Sequence, residues 1–130
     1  MKNLTPHTIC AISTPSGSGG IAVVRVSGNE AFEICDKIFA FNQPEVKLAD
    51  KPGYTVHFGN ITDNKNRLID EVLATVFRSP NSFTGEDVVE ISCHGSLYIQ
   101  QRILELLLKN GCTLAQPGEF TMRAFHNGKM

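Results

Sequence analysis

The sequence predicts an α+β domain, with a mixed β-sheet of about five to six strands and helices packed on one face. Three observations lead to this prediction. The apolar run at 21–28 is nearly continuous, as in strands that are buried on both faces. The segment 97–111 carries a strong helical pattern of apolar residues and ends at a glycine. Strand-like and helix-like segments follow one another in the order β-β-α-β-β-β-α-β.

Length and composition are typical of one globular domain. The chain has 130 residues, of which 42% are hydrophobic and 19% charged, and this is enough to bury a core. Its net charge of −1 provides no overall basic field for nucleic acid. No apolar run reaches the ~20 residues of a membrane span, and the first residues lack a signal-peptide core. We therefore expect a cytoplasmic protein.

Cysteine spacing favours structural thiols over a metal site. The sequence has no CxxC pair and no Cys/His spacing typical of zinc ligands, so no metal site is predicted. Without an export signal, reduced cysteines that pack as small apolar residues are expected. The four are Cys10, Cys35, Cys93 and Cys112.

The first part of the chain predicts two strands and a helix. Residues 8–14 form a short strand, and the Gly- and Ser-rich turn 15–20 connects it to the strand at 21–28. Ser27 and Glu30 have the spacing of a capping box, which predicts that a helix starts there. The apolar face of this helix comprises Ala31, Phe32, Cys35, Ile38 and Phe39.

The middle of the chain predicts a β-hairpin. A loop at 41–53 contains two prolines and a glycine, which interrupt regular structure. Strands at 54–61 and 70–79 follow, joined by the polar turn TDNKNR.

The last part predicts a strand, a long helix and a short helical end. The strand at 88–94 alternates apolar and polar residues. Ser96 is a candidate N-cap for the next helix, which Gly111 ends. A short strand at 112–116 then precedes one or two helical turns within 117–130.

Charged side chains within apolar strands are the strongest functional signal. Arg25 lies in the run 21–28, and strand alternation places Glu90 and His94 on the same face of the strand 88–94. A charged residue in a core strand is costly unless it is paired or binds a ligand. From the residues alone, an ion pair between Arg25 and Glu90 and a ligand site both remain open.

Other chemical motifs are weaker. The GSGG at 17–20 lacks the GK[ST] of a Walker loop and precedes a strand, so it predicts a flexible connection or a ligand flap. His94, Gly95 and Ser96 stand where a helix begins, with backbone amides available for an anion, although a plain loop histidine is the alternative. Cys93 and His94 point to opposite faces, so they do not form a catalytic pair. No catalytic residue is predicted.

Three long segments carry a family resemblance. They are TICAISTPSGSGGIAVVRVSG, PNSFTGEDVVEISCHG and PGEFTMRAFHNGK. In order and spacing, over nearly the whole chain, they resemble the N-terminal domain of the tRNA-modifying GTPase family MnmE/TrmE. Two positions depart from the family pattern: Ser96 replaces a glycine of His-Gly-Gly, and His126 replaces the leucine of Leu-Asn.

The resemblance implies that residues 1–130 are an N-terminal folate-binding and dimerisation domain, similar to the folate-binding domain of one-carbon enzymes. Its cofactor would be 5-formyltetrahydrofolate or a related tetrahydrofolate, bound at Arg25, Glu90 and Lys129. A carboxylate accepts two parallel donors from a pterin edge, which suits Glu90. Arg25 and Lys129 are donors that suit a formyl oxygen or glutamyl carboxylates.

The resemblance also implies a longer protein, of which this chain is expected to be a fragment without the helical and GTP-binding domains. GTP, Mg and K would bind only in the GTP-binding domain. The whole protein, a homodimer and a hydrolase, would act with a flavoprotein partner of the MnmG/GidA type on position 5 of the wobble uridine of tRNA. The chain itself has no GxxxxGK[ST] sequence, so no GTPase activity is predicted for it.

Two rival functions remain. One is a dimerisation module that binds no ligand and uses its polar strand residues structurally. The other is an RNA-binding domain, which the charge balance and the lack of tryptophan disfavour.

Overall fold

A computed structural model describes residues 6–130, which form a seven-stranded mixed sheet and three α-helices. The predicted α+β class is confirmed. A short 3-10 turn, Leu48–Asp50, lies in the loop before the hairpin. The strands are β1 Ile9–Ile12, β2 Ile21–Ser27, β3 Phe39–Ala40, β4 Thr55–Thr62, β5 Leu68–Phe77, β6 Val88–His94 and β7 Thr113–Leu114, and the helices are α1 Ala31–Asp36, α2 Leu97–Lys109 and α3 Glu119–His126.

The strand order is β3-β4-β5-β6-β2-β1-β7. The short edge strand β7 runs parallel to β1, and the other neighbouring pairs are antiparallel. The sheet is therefore mixed, as predicted. Strand β6 lies at its centre, between β5 and β2, so side chains on β6 have sheet neighbours on both sides.

The sheet has one strand more than the upper predicted number because β3 was not recognised. Phe39 was predicted on the helical face, but α1 ends at Asp36, and Phe39 pairs with Ile61 of β4 instead. The Asp36 carboxylate accepts the amides of Leu48 and Ala49 at 2.7 and 3.1 Å, which anchors the following loop to the helix end. The Phe39 ring occupies the space where a Cβ on Gly59 would lie.

The predicted capping box at Ser27 and Glu30 is wrong. Strand β2 continues through Ser27, and Glu30 itself is the N-cap, without a side-chain hydrogen bond. The Ser27 hydroxyl instead donates to Glu86 at 2.6 Å, and the Thr8 hydroxyl accepts the Glu30 amide at 3.0 Å. Pairing with β6 keeps Ser27 in strand β2, although the spacing of Ser27 and Glu30 favours a helix start.

The second helix and the hairpin agree with the prediction. Ser96 Oγ accepts the Ile99 amide at 3.1 Å, and Gly111 adopts φ 119° directly after the helix, as a C-terminal stop requires. Strands β4 and β5 pair along almost their whole length around the turn at 63–67.

The core lies between one face of the sheet and helices α1 and α2. Alternate residues of the central strands point into it, and so do the four cysteines, which are free and buried as predicted. Burial raises the pKa of the Cys35 thiol above its usual range. No helix within residues 6–130 has the length and apolarity to cross a membrane. The strand residues of the core include Cys10, Ala22, Val24, Val26, Val72, Ala74, Val76, Val89, Ile91 and Cys93.

Candidate functional site

The polar strand residues lie on the open face of the sheet, which is the face that α1 and α2 do not cover. Arg25 of β2 is directly opposite Glu90 of β6, and Glu90 is opposite Thr75 of β5. Val56 of β4 and Ala11 of β1 extend this row at its two ends. Because residues directly opposite one another share a face, the row brings Arg25 and Glu90 together in the middle of the sheet.

Arg25 and Glu90 form an ion pair that uses only part of their hydrogen-bonding capacity. Arg25 Nε donates to Glu90 Oε2 at 3.0 Å, and the two side chains are 21% and 26% exposed. Within residues 6–130 this is the one side-chain hydrogen bond of either residue. A carboxylate accepts bonds at both oxygens and a guanidinium carries five N–H donors. Glu90 Oε1 and the terminal nitrogens of Arg25 are therefore available to a ligand.

Two aromatic rings hold the Arg25 guanidinium. Its central carbon lies 5.0 Å from the centroid of the Phe83 ring and 5.1 Å from that of Phe120, which are cation–π distances. Phe83 comes from the loop between β5 and β6, and Phe120 comes from α3. Arg25 and the two rings line a cavity of about 420 Å³. Its lining residues are Ala11, Ile12, Ser13, Arg25, Phe83, Ala115, Gln116, Pro117, Gly118, Phe120 and Thr121.

A second Arg–Glu pair fixes the loop and the helix that carry these rings. Arg123 Nη1 of α3 donates to both oxygens of Glu86 at 3.0 and 3.2 Å, and its Nη2 donates to the His7 carbonyl at 2.7 Å. Arg123 Nη2 also donates to Glu119 at 3.1 Å. Ser27 Oγ, at the end of β2, donates to Glu86 Oε1 at 2.6 Å. This network joins α3, the loop before β6 and the end of strand β2.

Lys129, the third predicted contact, is not joined to the Arg25–Glu90 pair. It follows α3, and its backbone amide donates to the Ala124 carbonyl at 2.8 Å. Its side chain passes Gly85, because a Cβ there would lie 3.3 Å from Lys129 Cγ. In the described part of the chain its ammonium has no carboxylate partner within 4 Å. Lys129 is therefore held beside the loop that carries Phe83, with its charge free.

His94 has a buried partner that the sequence did not reveal. Its Nδ1 lies 2.8 Å from Asp70 Oδ1, and its backbone amide donates to Asp70 Oδ2 at 2.8 Å. Asp70 is buried, whereas the His94 side chain is 72% exposed. The Gly95 amide donates to the Gly20 carbonyl. The amides of His94 and Gly95 are thus bonded within the protein, and neither is available to an anion.

The glycine-rich turn is joined to the start of α2. The Gly19 amide donates to the Gly95 carbonyl at 3.1 Å, and Gln100 Nε2 donates to the carbonyls of Gly17 and Gly95 at 3.2 and 2.9 Å. A Cβ on Gly95 would lie 2.3 Å from the Gly19 carbonyl oxygen, so this contact requires glycine. The turn is a backbone-paired connection in this structure.

Neither a metal cluster nor a thiol–imidazole pair is formed by residues 6–130. No group of three or more histidine, cysteine, aspartate or glutamate side chains is placed there to hold an ion. Cys93 points into the core, away from His94, and burial raises the pKa of its thiol to about 11. This agrees with the opposite faces that strand alternation assigned to the two residues.

The sequence analysis missed the two aromatic residues of the cavity wall, Phe83 and Phe120. Both lie within the segments that carry the family resemblance, PNSFTGED and PGEFT. A signal was therefore present, but only their placement beside Arg25 shows why an aromatic residue belongs in each segment. Asp70 had no comparable signal, since a carboxylate at a strand start is usually solvated.

Comparison with known proteins gives one family. A family model described as the N-terminus of GTP-binding protein TrmE matches residues 8–129. The chain is similar to proteins named tRNA modification GTPase MnmE, at 59% identity over 123 residues in Parabacteroides distasonis and 55% over 123 residues in Chlorobium phaeobacteroides. The matched part covers 95% and 94% of this chain, and 27% and 26% of the respective relatives. The chain thus spans about a quarter of the length of these relatives.

Proposed function

The chain belongs to the family of TrmE N-terminal domains, as its three motifs predicted, and from this membership we propose that it is a folate-binding and dimerisation domain of a tRNA-modifying GTPase. The ligand is 5-formyltetrahydrofolate or a related tetrahydrofolate. The observation that carries the proposal is the half-used Arg25–Glu90 pair beside an aromatic-lined cavity. A volume of about 420 Å³ lies in the range of small-molecule sites.

Glu90 is assigned to the pterin edge. The ring presents an amide N–H beside an amino group, and a carboxylate accepts both in parallel. Glu90 Oε2 already accepts Arg25 Nε at 3.0 Å, but each carboxylate oxygen has two lone pairs, so both oxygens remain able to accept a ligand donor. Arg25 then orients Glu90 for that contact. This explains why the pair lies on an open sheet face and not in the core.

The cations are assigned to the acceptors of the ligand. Arg25 lines the cavity together with Phe83 and Phe120, and its terminal nitrogens, which have no partner in residues 6–130, can donate to a formyl or ring oxygen. Lys129 lies beside the loop of Phe83 with a free charge, which suits the carboxylates of a glutamyl tail. The two rings provide flat apolar surfaces against which a pterin can stack.

Dimerisation is assigned to the open face of the sheet. Val56, Phe58, Leu73 and Ile21 are 56%, 53%, 45% and 71% exposed, and this is unusual for large apolar side chains that share one face of a sheet. A second copy would cover them in an interface of about 1,600 Å² in total. Such a dimer would also shield Glu90, which lies in the row next to Phe58 and Leu73.

The activity of the whole protein is proposed from the names of the relatives and from the family resemblance. GTP, Mg and K belong to a GTP-binding domain outside this chain, and a flavoprotein partner of the MnmG/GidA type completes the enzyme. Together they modify position 5 of the wobble uridine of tRNA in the cytoplasm. This chain contributes the one-carbon cofactor and the dimer contact, and it hydrolyses no GTP.

One experiment tests the folate proposal directly. The purified chain is titrated with 5-formyltetrahydrofolate in a calorimeter, and its mass is measured by sedimentation at tens of micromolar. Saturable binding to a homodimer is expected. A well-folded protein that shows no heat of binding and sediments as a monomer would instead indicate neither function. A dimer without folate binding would support the purely structural module.

A further inference from the structure

We propose that a basic surface on the helix side of the sheet binds the phosphate backbone of RNA. This surface, here called the basic cluster, consists of Lys37, Lys65, Arg67, Arg102 and Lys109. They line two adjoining cavities, of about 570 and 240 Å³, which share Asp63, Asn64 and Lys109. The choice of RNA as the partner rests on the proposed function in tRNA modification.

The basic cluster is a local feature that the net charge of the chain conceals. Five of the 12 basic residues lie in it, whereas within residues 6–130 two carboxylates, Asp63 and Glu105, form ion pairs with them. Five cations and two anions leave a local charge of +3. The chain as a whole carries −1. The net charge that disfavoured RNA binding describes the whole chain, and it conceals the positive charge of this one surface.

Three of the five cations have no carboxylate partner. Within residues 6–130, Lys37, Lys65 and Lys109 form no ion pair at 4 Å or less, and all three are exposed. The two arginines of the cluster differ, because Arg67 binds Asp63 and Arg102 binds Asp63 and Glu105. Unpaired lysines that share one surface repel one another, and a polyanion relieves this repulsion.

The hairpin turn that presents Lys65 and Arg67 is rigidly built. Asp63 Oδ1 accepts the amides of both residues at 2.9 Å, and Asp63 Oδ2 accepts Arg67 Nε at 2.9 Å. Asn66 takes φ 61° at the turn. Asp63 is buried, and its carboxylate organises the loop. The backbone of both residues and the Arg67 side chain are thus fixed, and both side chains are exposed.

The opposite wall of the cavity is one face of α2. Tyr98, Arg102, Glu105 and Lys109 follow a helical spacing of four, three and four residues, so they lie along a single stripe. Tyr98 is 66% exposed and lines the larger cavity with Arg102. Exposed tyrosine beside arginine suits RNA, since an unpaired base can stack on the ring while the guanidinium binds phosphate.

The position of the basic cluster separates it from the folate site. It lies against α2, which covers the closed face of the sheet, whereas Arg25 and Glu90 lie on the open face. The two ligands can therefore bind at the same time. Variants of either surface are expected to leave the other function intact.

Charge reversal of the two lysines tests the proposal. A fluorescein-labelled tRNA anticodon stem-loop is titrated with the chain from about 50 to about 200 mM salt. Affinity should fall with salt. K65E/K109E should weaken binding at least about tenfold and lower the salt slope by about 1.4, because two phosphates of a single strand are then no longer neutralised. The matched control K47E/K51E changes net charge equally and should bind within about twofold of the wild type, because both lysines lie outside the cluster.

Each outcome decides the proposal. Equal binding by K65E/K109E and K47E/K51E overturns it, and so does a wild-type chain that binds no stem-loop. Equally tight binding of polyglutamate would assign the surface to an acidic protein and overturn the RNA assignment. The affinity for 5-formyltetrahydrofolate is measured on the same samples. Folate binding without RNA binding rejects the cluster alone, and RNA binding without folate binding rejects only the folate proposal.

Discussion

Two Arg–Glu pairs, Arg123–Glu86 and Arg25–Glu90, differ in how completely their hydrogen bonds are used. Arg123 donates to both oxygens of Glu86 and to the His7 carbonyl, and the Ser27 hydroxyl also donates to Glu86. Arg25 makes a single hydrogen bond to Glu90. The first pair is 10% and 14% exposed, the second 21% and 26%. A saturated pair can only hold the fold together, whereas a partly used pair can also hold a ligand.

The environments of the pairs agree with this difference. The Arg123–Glu86 pair joins α3, the loop before β6 and the start of the chain described by the structure. The Arg25–Glu90 pair lies within the sheet, where β2 and β6 are already joined by their ladder. Losing the first pair would separate elements, but losing the second would leave the backbone pairing unchanged. Substitutions in and around the two pairs test this division, and the largest expected effect comes from Arg123.

Replacing Arg123 by methionine should destabilise the protein by about 3 kcal/mol, because Glu86 then keeps a buried charge without its guanidinium. Urea denaturation monitored by circular dichroism measures this change. Lys47→Met is the control, since Lys47 is exposed and its loss should cost little. A loss below about 1 kcal/mol for Arg123→Met would show that the network is not structural.

Glu90→Gln should weaken 5-formyltetrahydrofolate binding by roughly 30- to 1,000-fold, the equivalent of about 2–4 kcal/mol, because a donor then faces a pterin donor. Its melting temperature should stay near that of the wild type, since the ladder between β2 and β6 remains. Calorimetric titration and a melting curve on one sample measure both quantities. Glu33→Gln, at an exposed position on α1, is the control.

The opposite pattern for Glu90→Gln would reverse the assignment. If the melting temperature falls and folate affinity is retained, Glu90 is a structural partner of Arg25. The comparison of the two pairs would then fail, because both would serve the fold.

Phe83→Leu should reduce folate affinity by about fivefold, the equivalent of about 1 kcal/mol, because one of the two cation–π faces around Arg25 is lost. Phe120→Leu should have a similar effect from the other side. Phe125→Leu, also on α3 but 68% exposed, should leave binding unchanged. The same calorimetric titration measures all three. An equal loss for Phe125→Leu would point to a general effect on α3.

Asp63 differs from Glu86 and Glu90, because its main hydrogen-bond donors are backbone amides and not an arginine side chain. The Arg67 amide, followed by the Lys65 amide and the Arg67 side chain, lowers the pKa of Asp63 to about 2. Because the folded pKa lies below the unfolded value of about 3.9, the stabilisation is complete above that pH and is lost as the pH falls towards 2.

Asp63→Asn tests this small effect. The wild type should melt at a higher temperature than the variant above pH 4, and the difference should shrink as the pH falls to about 2. Melting curves of both proteins across this range provide the measurement. A difference that is constant with pH would mean that ionisation of Asp63 does not stabilise the turn.

Much of the fold was predictable because it depends on local patterns. Alternation along β6 correctly placed Glu90 on the face opposite Ile91, and Ser96 was recognised as the cap of α2. The errors lie where tertiary contacts compete with local preference. Ser27 has the spacing of a capping box, yet its hydroxyl binds Glu86, because β2 continues through it in the sheet.

The sequence by itself determined the α+β class, the family and the presence of two charged residues in apolar strands. Only the tertiary structure decided that Arg25 uses one hydrogen bond, that Phe83 and Phe120 enclose it, and that Asp70 binds His94. It also decided that basic residues from the end of α1, the hairpin turn and α2 share one surface. Periodicity determines the face on which a side chain lies. Contacts between distant segments depend on strand register and helix packing, which no local pattern encodes.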